Sequence, residues 1–258
     1  MITDINRLPD EMESAFVCCD CMDLMRRYPD QYFDIAVVDP PYGINMGHTF
    51  GVGRGGYDRP FGGQNTGLRS CQKCQNKAKF YHTFDDSAAP DEKYFDELKR
   101  VSKAQIIFGG NYFLDYLGKA SCIIVWDKKR RGMDQADCEI AWTSLPGQSR
   151  LFEFRWNGML QQDMKHKEKR IHPTQKPVAL YKWIIEKFTK PSDIILDTHV
   201  GSASSLIAAK RLRRRFVGCE KDELYFNQAL NRFNQETAQL SLMDLISQKE
   251  GETNEYEL

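Results

Sequence analysis

The apolar run Ile35-Ala36-Val37-Val38 is closed by Asp39-Pro40-Pro41-Tyr42-Gly43, and no other stretch constrains the chain as tightly. The run reads as a short buried strand. Two prolines cannot continue a sheet ladder and each fixes its own φ, so the backbone stiffens and turns away at Asp39. In open α/β sheets ligands bind just past the carboxyl ends of strands. A carboxylate, exposed carbonyls and a flat ring are therefore held rigidly where chemistry is expected.

The rest of the chain alternates in the manner of an α/β fold. Strands are expected near Phe16–Cys19, Phe33–Val38, Ala104–Phe108, Cys122–Trp126, Glu139–Thr143, Leu151–Arg155, Ile194–Leu196 and Phe216–Glu220. Helices are expected near Met22–Tyr28, Asp91–Val101, Tyr112–Gly118, Pro177–Phe188, Ser204–Arg213 and Glu223–Leu240. This alternation predicts a Rossmann-like, mostly parallel sheet with helices on both faces. The two strands after Trp126 are expected to pair antiparallel at an edge. The 258 residues suit one domain, 1–258, carrying an insertion. Thr253–Leu258 is acidic and expected to fray.

An exocyclic amino group on a nucleobase is a poor nucleophile because its lone pair is conjugated into the ring. Two acceptors aimed at its N–H bonds favour a tetrahedral nitrogen and free that pair. Asp39 can supply one acceptor and the Pro40 carbonyl the other. Pro41 stiffens the turn, and Tyr42 can stack on a base taken out of the helix. Such chemistry is positioning plus aimed dipoles and needs no metal.

Asp39-Pro40-Pro41-Tyr42 resembles the catalytic motif of the amino-group (adenine-N6 / cytosine-N4) DNA methyltransferases. An acid in the first position is more typical of adenine N6 enzymes, and a serine of cytosine N4 enzymes. The resemblance implies S-adenosylmethionine as methyl donor, double-stranded DNA as substrate and base flipping as the means of access. It also implies a cytoplasmic enzyme, bacterial or phage-encoded.

A second block, Asp193–Asp222, reads strand, turn, helix, strand. Its turn is Asp197-Thr198-His199-Val200-Gly201-Ser202-Ala203-Ser204, and its second strand ends in Glu220. Small residues let a ligand approach backbone N–H groups at a helix start, and an acid about twenty residues on suits a ribose diol. The turn lacks G-x-G-x-x-G, which weighs against a nicotinamide or flavin enzyme. It resembles the cofactor motif of the same methyltransferases at Asp197, Gly201 and Ser202. It departs at Thr198, His199, Ala203 and Ser204. Ala203 in place of glycine matters most, because a methyl there could crowd the cofactor. His199 reads as a wall residue rather than a base.

Two further blocks match the family. His172-Pro173-Thr174-Gln175-Lys176-Pro177 precedes an apolar helix, and its counterpart sits beside the methionine end of the cofactor. Thr174 and Gln175 are the matching polar positions, and Pro177 suits a first helical turn. Ala15–Cys19 is a short strand closing on Asp20-Cys21, which resembles a Gly-Asp-Cys element near the cofactor's adenine. Asp20 reads equally as the N-cap of the helix that follows. The order of the blocks, catalytic before cofactor-binding, resembles the circularly ordered β group.

Formal net charge is zero, so attraction to DNA must come from local patches. Lys128-Lys129-Arg130-Arg131 and Lys165–Arg170, with Lys165 and Lys167, follow strand ends on the catalytic side. Each patch reads either as a DNA contact or as a solvated face. Ile44–Phe80 is long, rich in glycine and basic, with Arg54 and Lys73 among its cations. It reads either as a flap that closes on DNA or as an insertion that crosses the surface. Asn157–Arg170 is the short segment left for sequence recognition, so readout is expected to be slight, borrowed from the glycine-rich insertion, or supplied by a second subunit. A homodimer and a separate nuclease or specificity subunit are partners open to such a chain.

No segment approaches ~20 continuous apolar residues, and the amino terminus lacks a signal-peptide pattern. Most of the eight cysteines read as small core residues with reduced thiols. Cys71 and Cys74 form one C-x-x-C pair. With His82 as a third ligand and no fourth nearby, no metal is expected. Cytosine N4 transfer, or adenine transfer on RNA, stands as the alternative within the same chemistry. A catalytically weak DNA-binding or regulatory subunit stands as the alternative from another class.

Overall fold

The structure, a computed structural model, describes residues 1–7, 13–44, 86–132, 136–157 and 160–254, with side chains as far as residue 238. The expected flap at 44–80 therefore lies outside the described residues beyond Ile44, as do Cys71, Cys74 and His82. The expected fraying of Thr253–Leu258 falls largely outside them too.

The strands, numbered along the chain, are β1 (Ala15–Cys18), β2 (Ile35–Val38), β3 (Gln105–Phe108), β4 (Ile123–Asp127), β5 (Cys138–Thr143), β6 (Arg150–Glu153), β7 (Trp156–Asn157), β8 (Leu160–Gln161), β9 (Ile194–Asp197) and β10 (Arg215–Glu220). Eight of them form one sheet in the order β1-β10-β9-β2-β3-β5-β4-β6. β2 and β3 are buried along their whole length, as parallel strands covered on both faces must be. β5 runs against both of its neighbours, β3 and β4. The two strands after Trp126 do not pair with each other. β5 is inserted between β3 and β4, and β6 adds outside β4 in parallel register, Ile124 opposite Arg150. Each strand thus finds β4, because the loop between them returns the chain to the far side of that strand. The separate ribbon of β7 and β8 escaped the sequence reading, being too short to show a period.

Helices α1 (Cys21–Met25) and α2 (Glu92–Val101) cover one face of the sheet. The stretch expected as one helix from Tyr112 breaks at Phe113 into a 3₁₀ turn, Gly110–Tyr112, and a short α3 (Leu114–Leu117). Helices α4 (Val178–Phe188), α5 (Ser204–Arg211) and α6 (Glu223–Asn254) cover the other face. α2 buries Tyr94, Phe95, Leu98 and Val101, a stripe at helical spacing, and Asp91 caps its start. α1 is shorter than expected because the turns Leu24 to Arg27 and Met25 to Tyr28 unwind it ahead of Pro29.

The connections place the site. From β2 the chain crosses over α2 to β3 on one side, and from β9 it crosses over α5 to β10 on the other. β2 and β9 are hydrogen-bonded neighbours, with Ile35 opposite Ile195 and Ala36 opposite Leu196. The strand order therefore reverses between them, which is where such sheets open a ligand crevice.

Candidate functional site

Asp39 follows the last residue of β2 and Asp197 ends β9, so the two sequence blocks meet at the carboxyl ends of two adjacent central strands. Asp39 and Tyr42 are bonded to each other, the Tyr42 hydroxyl donating to Asp39 Oδ1 at 2.7 Å. Lys176, brought in ahead of α4, donates to Asp39 Oδ2 and, at 3.1 Å, to the Tyr42 hydroxyl. Its Nζ also lies 3.1 Å from Glu139 Oε2 on β5, while Lys128 pairs with Glu139 Oε1. Lys176 is 4 % exposed and sits 4.8 Å above the Phe108 ring.

The charges in this cluster balance, but the two acids differ. Burial holds the Asp39 carboxyl above the ordinary range, with Lys176 opposing and Glu139 adding to the rise. Burial would lift Glu139 as well, yet two lysines outweigh it and hold that carboxyl down at about 2. Burial pulls the Lys176 ammonium down, but Asp39 and Glu139 together raise it. The acid flanked by two cations stays ionised most firmly, as Coulomb's law requires.

The Tyr42 ring stacks on Tyr112, with centroids 5.1 Å apart and planes 18° from parallel, and meets Phe113 edge-on. Tyr112 is 49 % exposed, so it presents aromatic surface outward where Tyr42 is packed. Gly109, in the left-handed region at φ +67°, lets Tyr42 lie against the backbone. Gly43, at φ +71°, turns the chain after Tyr42, its N–H bonded to Asp86.

The loop after β9 is stitched together by its own groups. Asp197 accepts from Ser205 and from the His199 N–H, and burial raises its carboxyl to about 7. His199 is bonded to Thr198, which is bonded to Tyr94, and burial lowers the imidazole to about 4. A neutral, half-buried ring of this kind fits a wall residue. Glu220 accepts from the Gly201 N–H at 2.9 Å and from Asp222 N–H at 3.0 Å. Gly201 faces open space, since an added Cβ would find nothing nearer than the His199 carbonyl at 4.0 Å. Ser202 is buried, its carbonyl accepting from Arg232 and its hydroxyl bonded to Ser204.

Ala203, where the family motif has glycine, is fully buried in the core with Leu206 and Ile207. Its backbone takes the left-handed shape, φ +62°, and starts α5.

Gln175 directs its side chain to the preceding loop, accepting from Ile171 N–H, and its carbonyl holds the Trp156 indole. Thr174 is bonded to His172 Nδ1, and burial lowers that imidazole to about 3. Asp20 caps α1 through Met22 N–H and lies 3.3 Å from Lys221, with half-buried Cys21 beside it.

Lys128 corrects the reading of the basic patch. At 8 % exposure and paired with Glu139, it belongs to the Asp39 cluster and not to an outer surface. Lys129 pairs with Glu153, Arg130 bonds Asn157, and Arg131 pairs with Asp127 while remaining largely exposed. Lys165 and Lys167 are exposed, whereas Arg54 and Lys73 lie outside the described residues. Among the described residues no group of three or more acids, histidines or cysteines is placed to hold a metal, and no helix is long and apolar enough to cross a membrane.

Sequence reasoning missed Glu139, Lys176, Gly109, Tyr112 and Arg232. Lys176 carried a signal, a lysine between Gln175 and Pro177 at the head of an apolar helix. Arg232 carried one too, a cation beside the apolar row Phe226, Ala229 and Phe233. Glu139, Gly109 and Tyr112 have meaning only once β3 and β5 are paired.

A sequence profile of the DNA methylases (N6_N4_Mtase) matches residues 76–231. Among curated proteins, the chain is 45 % identical over 65 residues to the type II methyltransferase M.HindIII of Haemophilus influenzae, covering 25 % of this chain and 21 % of that protein. It is 42 % identical over 81 residues to the type II methyltransferase M2.DpnII of Streptococcus pneumoniae, covering 31 % of this chain and 30 % of that protein. The aligned stretches thus span less than a third of those relatives. Among solved structures, the PvuII DNA methyltransferase, cytosine-N4-specific, matches with TM-score 0.52 at 14 % identity, over 90 % of this chain and 87 % of that one. TTHA0409 of Thermus thermophilus, complexed with S-adenosyl-L-methionine, matches with TM-score 0.50 at 17 % identity, over 86 % of this chain and 93 % of that one. At such identities the likeness speaks for the fold.

Proposed function

This chain belongs to the DNA methylase family, and from that membership we propose that it methylates the N6 amino group of adenine in duplex DNA by base flipping, with S-adenosylmethionine as donor. The observation that carries the reading is the adjacency of β2 and β9, which sets Asp39 beside the loop that holds Gly201, itself bonded to Glu220 at the end of β10.

The donor supplies a sulfonium-borne methyl group. The residues fit it: Gly201 leaves room for a ligand at the loop, and Glu220 offers a half-buried carboxylate at the next strand end for a ribose diol. Asp20 and Cys21 follow β1, whose last residue Cys18 pairs with Glu220, and Thr174 precedes α4, its hydroxyl bonded to His172. Asp39 and the Pro40 carbonyl accept from the target amino group and localise its lone pair. Tyr42 and Tyr112 provide the aromatic surface for the extruded purine. An acid at position 39 favours adenine over cytosine. Lys165, Lys167 and Arg131 are the exposed cations available for phosphates.

The test is to incubate the purified chain with duplex DNA and donor, digest the DNA, and identify the modified nucleoside by mass. N6-methyldeoxyadenosine is the expected product. N4-methyldeoxycytidine would overturn the base assignment, and no methylated nucleoside would overturn the activity.

A further inference from the structure

Asp39 is bound from a distance. Lys176, 137 residues further along the chain, closes a small ring in which its ammonium donates to Asp39 Oδ2 and to the Tyr42 hydroxyl, and that hydroxyl donates to Asp39 Oδ1. The remaining side of the ammonium faces Glu139, which Lys128 holds from behind. We propose that Lys176 is the positioning residue that orients Asp39 and Tyr42 for transfer, and that Glu139, anchored by Lys128, sets how much of the lysine's charge Asp39 receives. This inference rests on the methyltransferase reading above.

Burying an ammonium costs hydration that the Phe108 ring beneath it offsets only in part, and a packing role alone is met as well by an apolar side chain of similar volume. What only a cation can do here is keep the Asp39 carboxyl ionised inside a dry pocket while fixing its plane. An unpaired acid there would take up a proton and lose its acceptor. A lysine committed wholly to Asp39 would weaken the same acceptor. Sharing the lysine with Glu139 avoids both extremes. The charged and titratable groups that bear on Asp39 are Tyr42 on its own loop, Lys176 ahead of α4, Glu139 on β5 with Lys128 after β4, Tyr181 on α4, and Asp197 at the end of β9.

The two partners push Asp39 in opposite directions, and that gives the test. The pH profile of kcat on duplex DNA is measured for the unmodified chain, Lys176→Met and Glu139→Gln, with melting temperature followed for each. With Lys176→Met the acid limb moves to higher pH by about one unit and kcat at neutral pH falls roughly 10- to 100-fold, while KM for the donor stays within about threefold. With Glu139→Gln the acid limb moves to lower pH. A purely structural role would lower activity without moving the limbs apart. If either folded variant leaves the limb in place, the proposal is overturned. If Lys176→Met does not fold, Glu139→Gln decides alone, and an unmoved or raised limb overturns it. Absence of transfer by the unmodified chain would instead overturn the methyltransferase reading.

Discussion

Gly109 lies directly against the ring of Tyr42: a Cβ at position 109 would stand 2.3 Å from Tyr42 Cε1. The backbone there is left-handed, φ +67°, so an alanine would be strained even without the clash. Gly109→Ala is expected to cost at least about 2 kcal/mol, lowering the melting temperature by roughly 4–8 °C. It should also displace Tyr42 and depress kcat. Calorimetry with a transfer assay checks both.

Asp39→Ala removes the acceptor but leaves the loop after β9 untouched. Methyl transfer should fall by roughly 10²–10⁴-fold, while donor affinity by titration calorimetry stays within about threefold. Retained turnover would defeat the role given to Asp39.

Arg232 binds the Ser202 carbonyl at 2.6 Å, Ser204 Oγ at 2.9 Å and Glu168 Oε2 at 2.8 Å. Glu168 also accepts from Val178 N–H at the head of α4. One buried ion pair thus joins the loop after β9, α6 and the segment expected to read DNA. Arg232→Met strands Glu168 and should cost about 3–5 kcal/mol in chemical denaturation. Adding Glu168→Gln should recover part of that loss, since the two residues share one interaction.

Stability against pH should carry the mark of Asp197. Its folded carboxyl titrates at about 7 against an ordinary 3.8, so the folded state holds a proton that the unfolded chain has lost between those values. Stability from this group therefore falls as pH rises from about 4 to 7 and levels off above. His172 and His199, depressed to about 3 and about 4, work the other way, with stability lost as pH falls below 6.5. Asp197→Asn should remove only the first slope, so its unfolding free energy should climb more steeply than the parent's across that range. Parallel curves would show that Asp197 is ionised in the folded protein at neutral pH.

The sequence alone determined the strands and helices that carry a full local signal. Ile35–Val38 ending in Asp39-Pro40-Pro41, and Ile194–Leu196 running into a small-residue turn, fixed the two ends of the site because apolar runs, proline and glycine act on their own backbone. It did not determine that Ala203's methyl turns into the core, that Lys128 faces inward, or that β5 inserts between β3 and β4. Those depend on which elements pack together, and packing brings residues far apart in the chain within bonding distance. The Asp39–Lys176–Glu139 cluster is the plainest case. Each residue looked ordinary in its own segment, and only the closing of β2, β5 and the approach to α4 around one dry pocket gave the three a shared charge balance.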